Sequence, residues 1–134
     1  MTLHTKLSSS WLKGFQVAEA ASLYATAPRV GLRIGAALYS KSILLSIGFN
    51  TFNVTHPEAD RCIEFDRNIH AEHRAIIKRQ HYGSSNLIMY VYRELFDGST
   101  ANCSPCKRCQ FLMKEAGVKR VRFTQCSGFG EIVL

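Results

Sequence analysis

At 134 residues and 46% hydrophobic content, the chain suits a single domain, 1–134, with a real core, and no apolar run in it reaches membrane-spanning length. The start MTLHTKLSSSW lacks the apolar core of a signal peptide, which predicts residence in a reducing cytoplasm; there five cysteines, an odd number, fit metal or thiol chemistry better than a disulfide framework. A formal net charge of +7 suits an anionic partner such as a nucleotide or polynucleotide, and equally a well-solvated basic surface.

The first predicted element is a helix in SSSWLKGFQVAEAASLYATA, opened by serine N-caps from Ser8, with Trp11, Phe15, Ala18 and Ser22 on one face and Pro28 just past its end. VGLRIGAALYSKSILLSIGFN follows as two β-rich runs around the turn-like Ser40–Ser42, a hairpin. A polar stretch over 51–68 leads into IHAEHRAIIKRQ, where Ile69, Ile76 and Ile77 suit a half-buried helix. NLIMYVYREL reads as a strand. SPCKRCQFLMKEAG reads as a helix with Ser104 as N-cap, Pro105 at the first helical position and Gly117 as its stop, and VKRVRFTQ as a last strand. The order α-β-β-α-β-α-β predicts an α/β fold, a three-layer α-β-α sandwich on a mixed, five-strand-type sheet whose C-terminal strands run parallel under right-handed crossovers.

Cys103, Cys106 and Cys109 recur every third residue. A ferredoxin-type arm needs a fourth cysteine three residues on, followed by proline, and the chain continues QFLMKEAG instead. A thiol-redox C-x-x-C pair remains open but accounts for nothing else in the chain. Zinc accounts for more. Cys106 and Cys109, at i and i+3 in the first turn of a helix, direct both thiolates one way, and the helix N-terminus favours their ionised forms. Cys103 precedes the cap and need not join them. The other helix start, Asn68-Ile69-His70-Ala71-Glu72, supplies a histidine in its first turn and a carboxylate two residues on. Three protein ligands leave a fourth position for water, whose pKa zinc lowers to about 7, and Glu72 is then placed to carry protons.

The pair 70-HAE-72 and 105-PCKRC-109 resembles the zinc-dependent cytidine and deoxycytidylate deaminase superfamily, whose H-x-E and P-C-x-x-C motifs it matches. The element order is similar over nearly the whole chain, and the compact form is similar to small stand-alone deaminase-like proteins of phages and fungi. The resemblance implies one zinc per chain on His70, Cys106 and Cys109, Glu72 as proton shuttle, and the Ala71 amide and Ser104 carbonyl holding the base. Asn50, in 48-GFN-50, matches an asparagine that contacts the sugar, though turn chemistry explains it equally well. His56, Arg61 and Arg67, in the long loop, are candidate phosphate contacts. His4, His73 and His81 read as surface or helix residues, and Lys107 and Arg108 as facing solvent.

The helix between the last two strands is similar to the deoxycytidylate and tRNA-adenosine deaminase branches, which keep a parallel final strand; small free-nucleoside cytidine deaminases turn it antiparallel. Yet GFNTFN and HAEHRAI depart from the GYN-Gly-Pro and HAE-Asn runs common in deoxycytidylate enzymes. The expected function is hydrolytic deamination of a cytosine nucleotide or nucleoside by a homo-oligomer. One alternative is deamination of adenine, guanine or a base in single-stranded nucleic acid, although no basic stripe interleaved with aromatics is present. From another class, Cys103, Cys106, Cys109 and His70 could close a structural zinc in a nucleic-acid-binding module; a closed site would leave Glu72 no water to serve.

Overall fold

The computed structural model describes residues 7–25, 33–51, 70–79, 86–95, 97–126 and 128–134. Helix α1 spans Ser9–Ser22, and the Ser8 hydroxyl caps it by accepting from the Trp11 amide at 3.4 Å. Strands β1 (Ile34–Ser40) and β2 (Ile43–Phe49) form the expected antiparallel hairpin, with Lys41 in left-handed backbone at the turn. Helix α2 is Ala71–Lys78, β3 is Leu87–Arg93, α3 is Lys107–Glu115 and β4 is Val118–Gln125. A fifth strand, β5, covers Gly128–Val133.

Among the described residues the sheet order is β2-β1-β3-β4-β5, and only the β3–β4 pair, joined through α3, runs parallel. The parallel pairing expected of NLIMYVYREL and VKRVRFTQ is borne out as β3–β4, but VKRVRFTQ is not the last strand: β5 lies beyond it and pairs antiparallel with β4. Only residues 126 and 127 separate the two strands, and so short a link permits a hairpin but no parallel crossover. Gly128 and Gly130 weaken the strand signal of this segment. At Gly130 the glycine has a packing reason, since a Cβ there would come within 2.8 Å of the Phe123 ring.

Alternation along the strands sorts the core into two layers. Ala37 and Tyr39 of β1 and Tyr90 and Tyr92 of β3 meet Phe15 and Ala18 of α1 on one face. Ala36, Leu38, Met89 and Val91 meet Ala75 of α2 and Leu112 and Met113 of α3 on the other. The predicted α1 face is therefore the buried one, with Phe15 and Ala18 fully enclosed. Ile76 is buried on α2 as expected, whereas Ile69, Pro28, His4 and His81 lie outside the described residues.

The approach of α2 to the sheet depends on Gly48. A Cβ at this position would overlap the Ala71 carbonyl oxygen and come within 2.6 Å of the Ala75 amide nitrogen, both backbone atoms. The Ser46 hydroxyl also donates to the Ala75 carbonyl at 2.6 Å, so strand and helix are locked in register. Gly48→Ala should consequently cost about 1–3 kcal/mol, because helix backbone must move to admit the methyl group. Chemical denaturation with an unchanged midpoint would contradict this close approach.

Candidate metal and catalytic site

His70 and Cys106 each stand at the entrance to a helix, as the N-cap of α2 and of α3 respectively, both with extended backbone. This corrects two expectations. Ser104 and Pro105 precede the helix and do not open it, and the histidine precedes the first turn of α2 instead of lying within it. A sulfur takes the capping role: Cys106 Sγ accepts the Cys109 amide at 3.4 Å, satisfying one of the unpaired donors at the start of α3. N-cap and N3 positions still direct both sulfurs to one point, so the one-residue shift leaves their convergence intact.

The two helices start side by side. His70 Nδ1 lies 3.3 Å from Cys109 Sγ and 3.7 Å from Cys106 Sγ. Nitrogen and sulfur ligands of a tetrahedral zinc, at bond lengths of about 2.1 and 2.3 Å, stand roughly 3.6 Å apart, so the imidazole nitrogen already stands from both sulfurs at the separation such an ion needs. All three ligand atoms lie within 4.8 Å of one another, and among the described residues they form the group able to hold a metal. The donor set, one imidazole and two thiols, suits zinc. Of the two thiols Cys106 ionises first: hydrogen bonding from Cys109, aided by His70, brings it down to about 3 against the opposing effect of burial. Cys109 is pushed up, by that same hydrogen bond and then by burial.

Glu72 is in the first turn of α2 and 5% exposed. Burial raises its carboxyl above the ordinary range, against the lowering influence of its own backbone amide, His70 and Arg108. Arg108 does not face solvent as expected; it is 5% exposed, and its charge favours the ionised forms of Glu72 and Cys109. Lys107 is exposed, as expected, while His73, read as a surface or helix residue, is buried.

Cys103 is separate from the metal group. Its thiol donates to the Val91 carbonyl at 3.3 Å and lies 3.1 Å from Thr124 Oγ1, and burial pushes it up to about 12. A neutral thiol held by the sheet is a poor metal ligand. The four-ligand closed site anticipated as an alternative is therefore not what these residues form.

A cavity of about 290 Å³ opens beside the trio, lined by His70, Ala71, Glu72, Ser104 and Cys106 together with Asn50. Asn50 is buried at the end of β2, and its Oδ1 accepts the Ile34 amide at 2.9 Å, which orients the carboxamide. The reading of Asn50 as purely local turn chemistry is thus incomplete: it braces β1 and also lines the cavity. Beside it, Arg74 donates to Thr51 Oγ1 at 3.2 Å and stacks over Phe49 at 4.6 Å. The remaining wall is Ile34, Arg93 and Asn102, which carried no functional signal in the sequence, and Cys103, which the sequence offered only as a possible fourth ligand of a closed zinc site. His56, Arg61 and Arg67 lie outside the described residues.

An α/β sandwich with an imidazole–dithiol trio and a buried carboxylate beside one cavity defines the class as a zinc-dependent hydrolase. The family described as the cytidine and deoxycytidylate deaminase zinc-binding region matches residues 9–125, and the chain belongs to that family, a family of hydrolytic deaminases. Among solved structures it is similar to the cytidine deaminase of Burkholderia pseudomallei, at 20% identity over 95% of this chain and 93% of that one, TM-score 0.65. It is also similar to the cytidine deaminase of Mycobacterium leprae, at 22% identity over 92% and 94%, TM-score 0.60. The dCMP deaminase of cyanophage S-TIM5 is similar at 20% identity over 86% of this chain and 82% of that one, TM-score 0.59. No curated protein matches in sequence. Among the described residues no helix is long and apolar enough to cross a membrane.

Proposed function

We propose that the chain deaminates the cytosine base of a free nucleotide or nucleoside. The reaction replaces the C4 amino group by the oxygen of water and releases ammonia, leaving uracil. The observation that carries this reading is the carboxylate of Glu72, buried without being one of the three metal donors and lining the cavity that they border. Zinc held by His70, Cys106 and Cys109 would supply Lewis acidity that makes hydroxide accessible near neutral pH. Glu72 takes the proton from the attacking water and returns it to the departing nitrogen; its raised affinity for protons suits a group that must hold one between the two steps. The Ala71 amide, at the first position of α2, and the Ser104 carbonyl offer a donor and an acceptor to the edge of the base, and the Asn50 carboxamide contacts the sugar. The separation of Cys103 from the trio favours this open site over the structural-zinc reading.

The test is a panel of cytosine, cytidine, deoxycytidine, their mono- and triphosphates, adenine and guanine counterparts, and single-stranded oligonucleotides. Ammonia release together with the change from cytosine to uracil absorbance is expected for a cytosine nucleoside or nucleotide. Turnover confined to purines or to oligonucleotides would replace this reading with another deaminase specificity.

A further inference from the structure

We propose that Asn102 is a further substrate contact, its carboxamide nitrogen donating to an oxygen of the sugar–phosphate end of the substrate at the rim of the cavity; this rests on the deaminase reading above. Asn102 lines the cavity beside Cys103 and Ser104. Its Oδ1 accepts the Ser104 amide at 3.3 Å, a turn that an asparagine side chain closes on its own backbone two residues on. Only the oxygen of a carboxamide can serve a backbone N–H, so this bond also settles which end of the group is which. The nitrogen is left with its two donors, and among the described residues nothing accepts from them. The same device sets Asn50 on the inner wall, where Oδ1 accepts the Ile34 amide at 2.9 Å.

The backbone under Asn102 is fixed although its side chain is exposed. On one side the Ala101 amide donates to the Arg93 carbonyl at 3.0 Å, and on the other the Cys103 amide donates to the Thr124 carbonyl at 3.1 Å. These bonds tie the segment to the ends of β3 and β4. Burial alternates along it, with Ala101 and Cys103 enclosed and Asn102 and Ser104 turned outward. A donor on so constrained a backbone is preorganised, and it meets a ligand without the cost of ordering a loop. Its place also fits the substrate. The reacting C4 must reach the enclosed Glu72 and the three groups placed to hold the metal, and N1, which carries the sugar, lies across the pyrimidine ring from C4. The sugar and its 5′ substituent therefore point away from Glu72, toward the open part of the cavity, where Asn102 and Ser104 are the exposed residues among those described. That end of the substrate is rich in acceptor oxygens, which is what a donating nitrogen at the rim requires.

The experiment measures kcat and KM for cytidine, deoxycytidine, CMP and dCMP in the wild-type protein, Asn102→Asp and Asn102→Ala. Aspartate keeps an oxygen for the Ser104 amide, so the turn survives, but it puts an acceptor where the donor stood. Asn102→Asp should therefore lower kcat/KM by about 10-fold or more, through KM, and Asn102→Ala by about 3- to 10-fold, the worth of one hydrogen bond. A larger loss for CMP and dCMP than for the nucleosides makes a phosphate oxygen the acceptor, and an equal loss makes it a sugar oxygen; both uphold the contact. Wild-type kcat/KM in Asn102→Asp overturns it, since a residue needed for the turn alone would tolerate aspartate. A fall in kcat with unchanged KM also overturns it. Zinc content and thermal midpoint should stay at wild-type values in both variants; a loss of either that accounts for the lost rate makes Asn102 structural and overturns the assignment. Should the wild type turn over no cytosine compound, the deaminase reading fails, and calorimetric titration with CMP and cytidine still decides Asn102: weaker binding by Asn102→Asp upholds the contact, and equal or absent binding in wild type and variant rejects it.

Discussion

In Glu72→Gln, deamination should fall by at least about 10²- to 10⁴-fold, the usual worth of a positioned proton carrier, while zinc remains at one per chain. Glutamine keeps the shape and hydrogen-bonding reach of glutamate but cannot accept and return a proton. The groups placed to hold the ion are His70, Cys106 and Cys109, so the substitution removes none of them. It also replaces a buried carboxylate by a neutral group at a site where burial disfavours the charge, so the variant should fold at least as well. Metal analysis beside the rate assay gives the answer. Loss of zinc would make Glu72 a ligand, and undiminished turnover would remove it from the chemistry; either result sinks the assignment.

The second large effect distinguishes the three clustered cysteines. Cys106→Ser and Cys109→Ser should each weaken zinc binding by more than about 100-fold, beyond the effect of altering a group that merely supports a ligand. Cys103→Ser should retain one zinc per chain. Its thiol is bonded to Val91 and Thr124, and a serine hydroxyl at that position can make the same donation to the Val91 carbonyl. Competition with a chromophoric chelator measures all three variants. A Cys103→Ser protein emptied of metal would restore the closed, four-ligand site and with it the non-catalytic reading. Cys106 should also be the more reactive thiol of the metal-free protein, since it is the one held ionised, and alkylation followed by peptide mapping would report it.

Much of the site was legible because its chemistry is local. H-x-E and P-C-x-x-C each place their groups within one turn of a helix start, where spacing alone decides that the side chains converge. The sandwich could be anticipated from the order of elements, and the two-residue period of a strand then sends Ala36, Leu38, Met89 and Val91 to one face and Ala37, Tyr39, Tyr90 and Tyr92 to the other. Even the cap shift from Ser104 to Cys106 left the donor set unchanged, because both registers bring the sulfurs together.

Tertiary structure decided what depends on distant partners. Arg108 and His73 sit at positions that a helix alone would leave to solvent, and only the packing of α2 and α3 on the sheet encloses them. Cys103 is spaced like its two neighbours, and what removes it from the metal group is the pairing of β3 with β4, which brings Val91 and Thr124 to its sulfur. The direction of β5 follows from a link too short for a crossover, in a glycine-containing segment with little strand signal of its own. Arg93 ends an apolar strand like many surface cations. It becomes a cavity residue only because β1 sets it beside Ile34 and Asn50, an adjacency of residues 93, 34 and 50 that no local pattern encodes. The sequence by itself determined the reactive groups, whose geometry a single helical turn enforces; the sheet determined which other residues share their cavity, because strand pairing joins segments far apart in the chain.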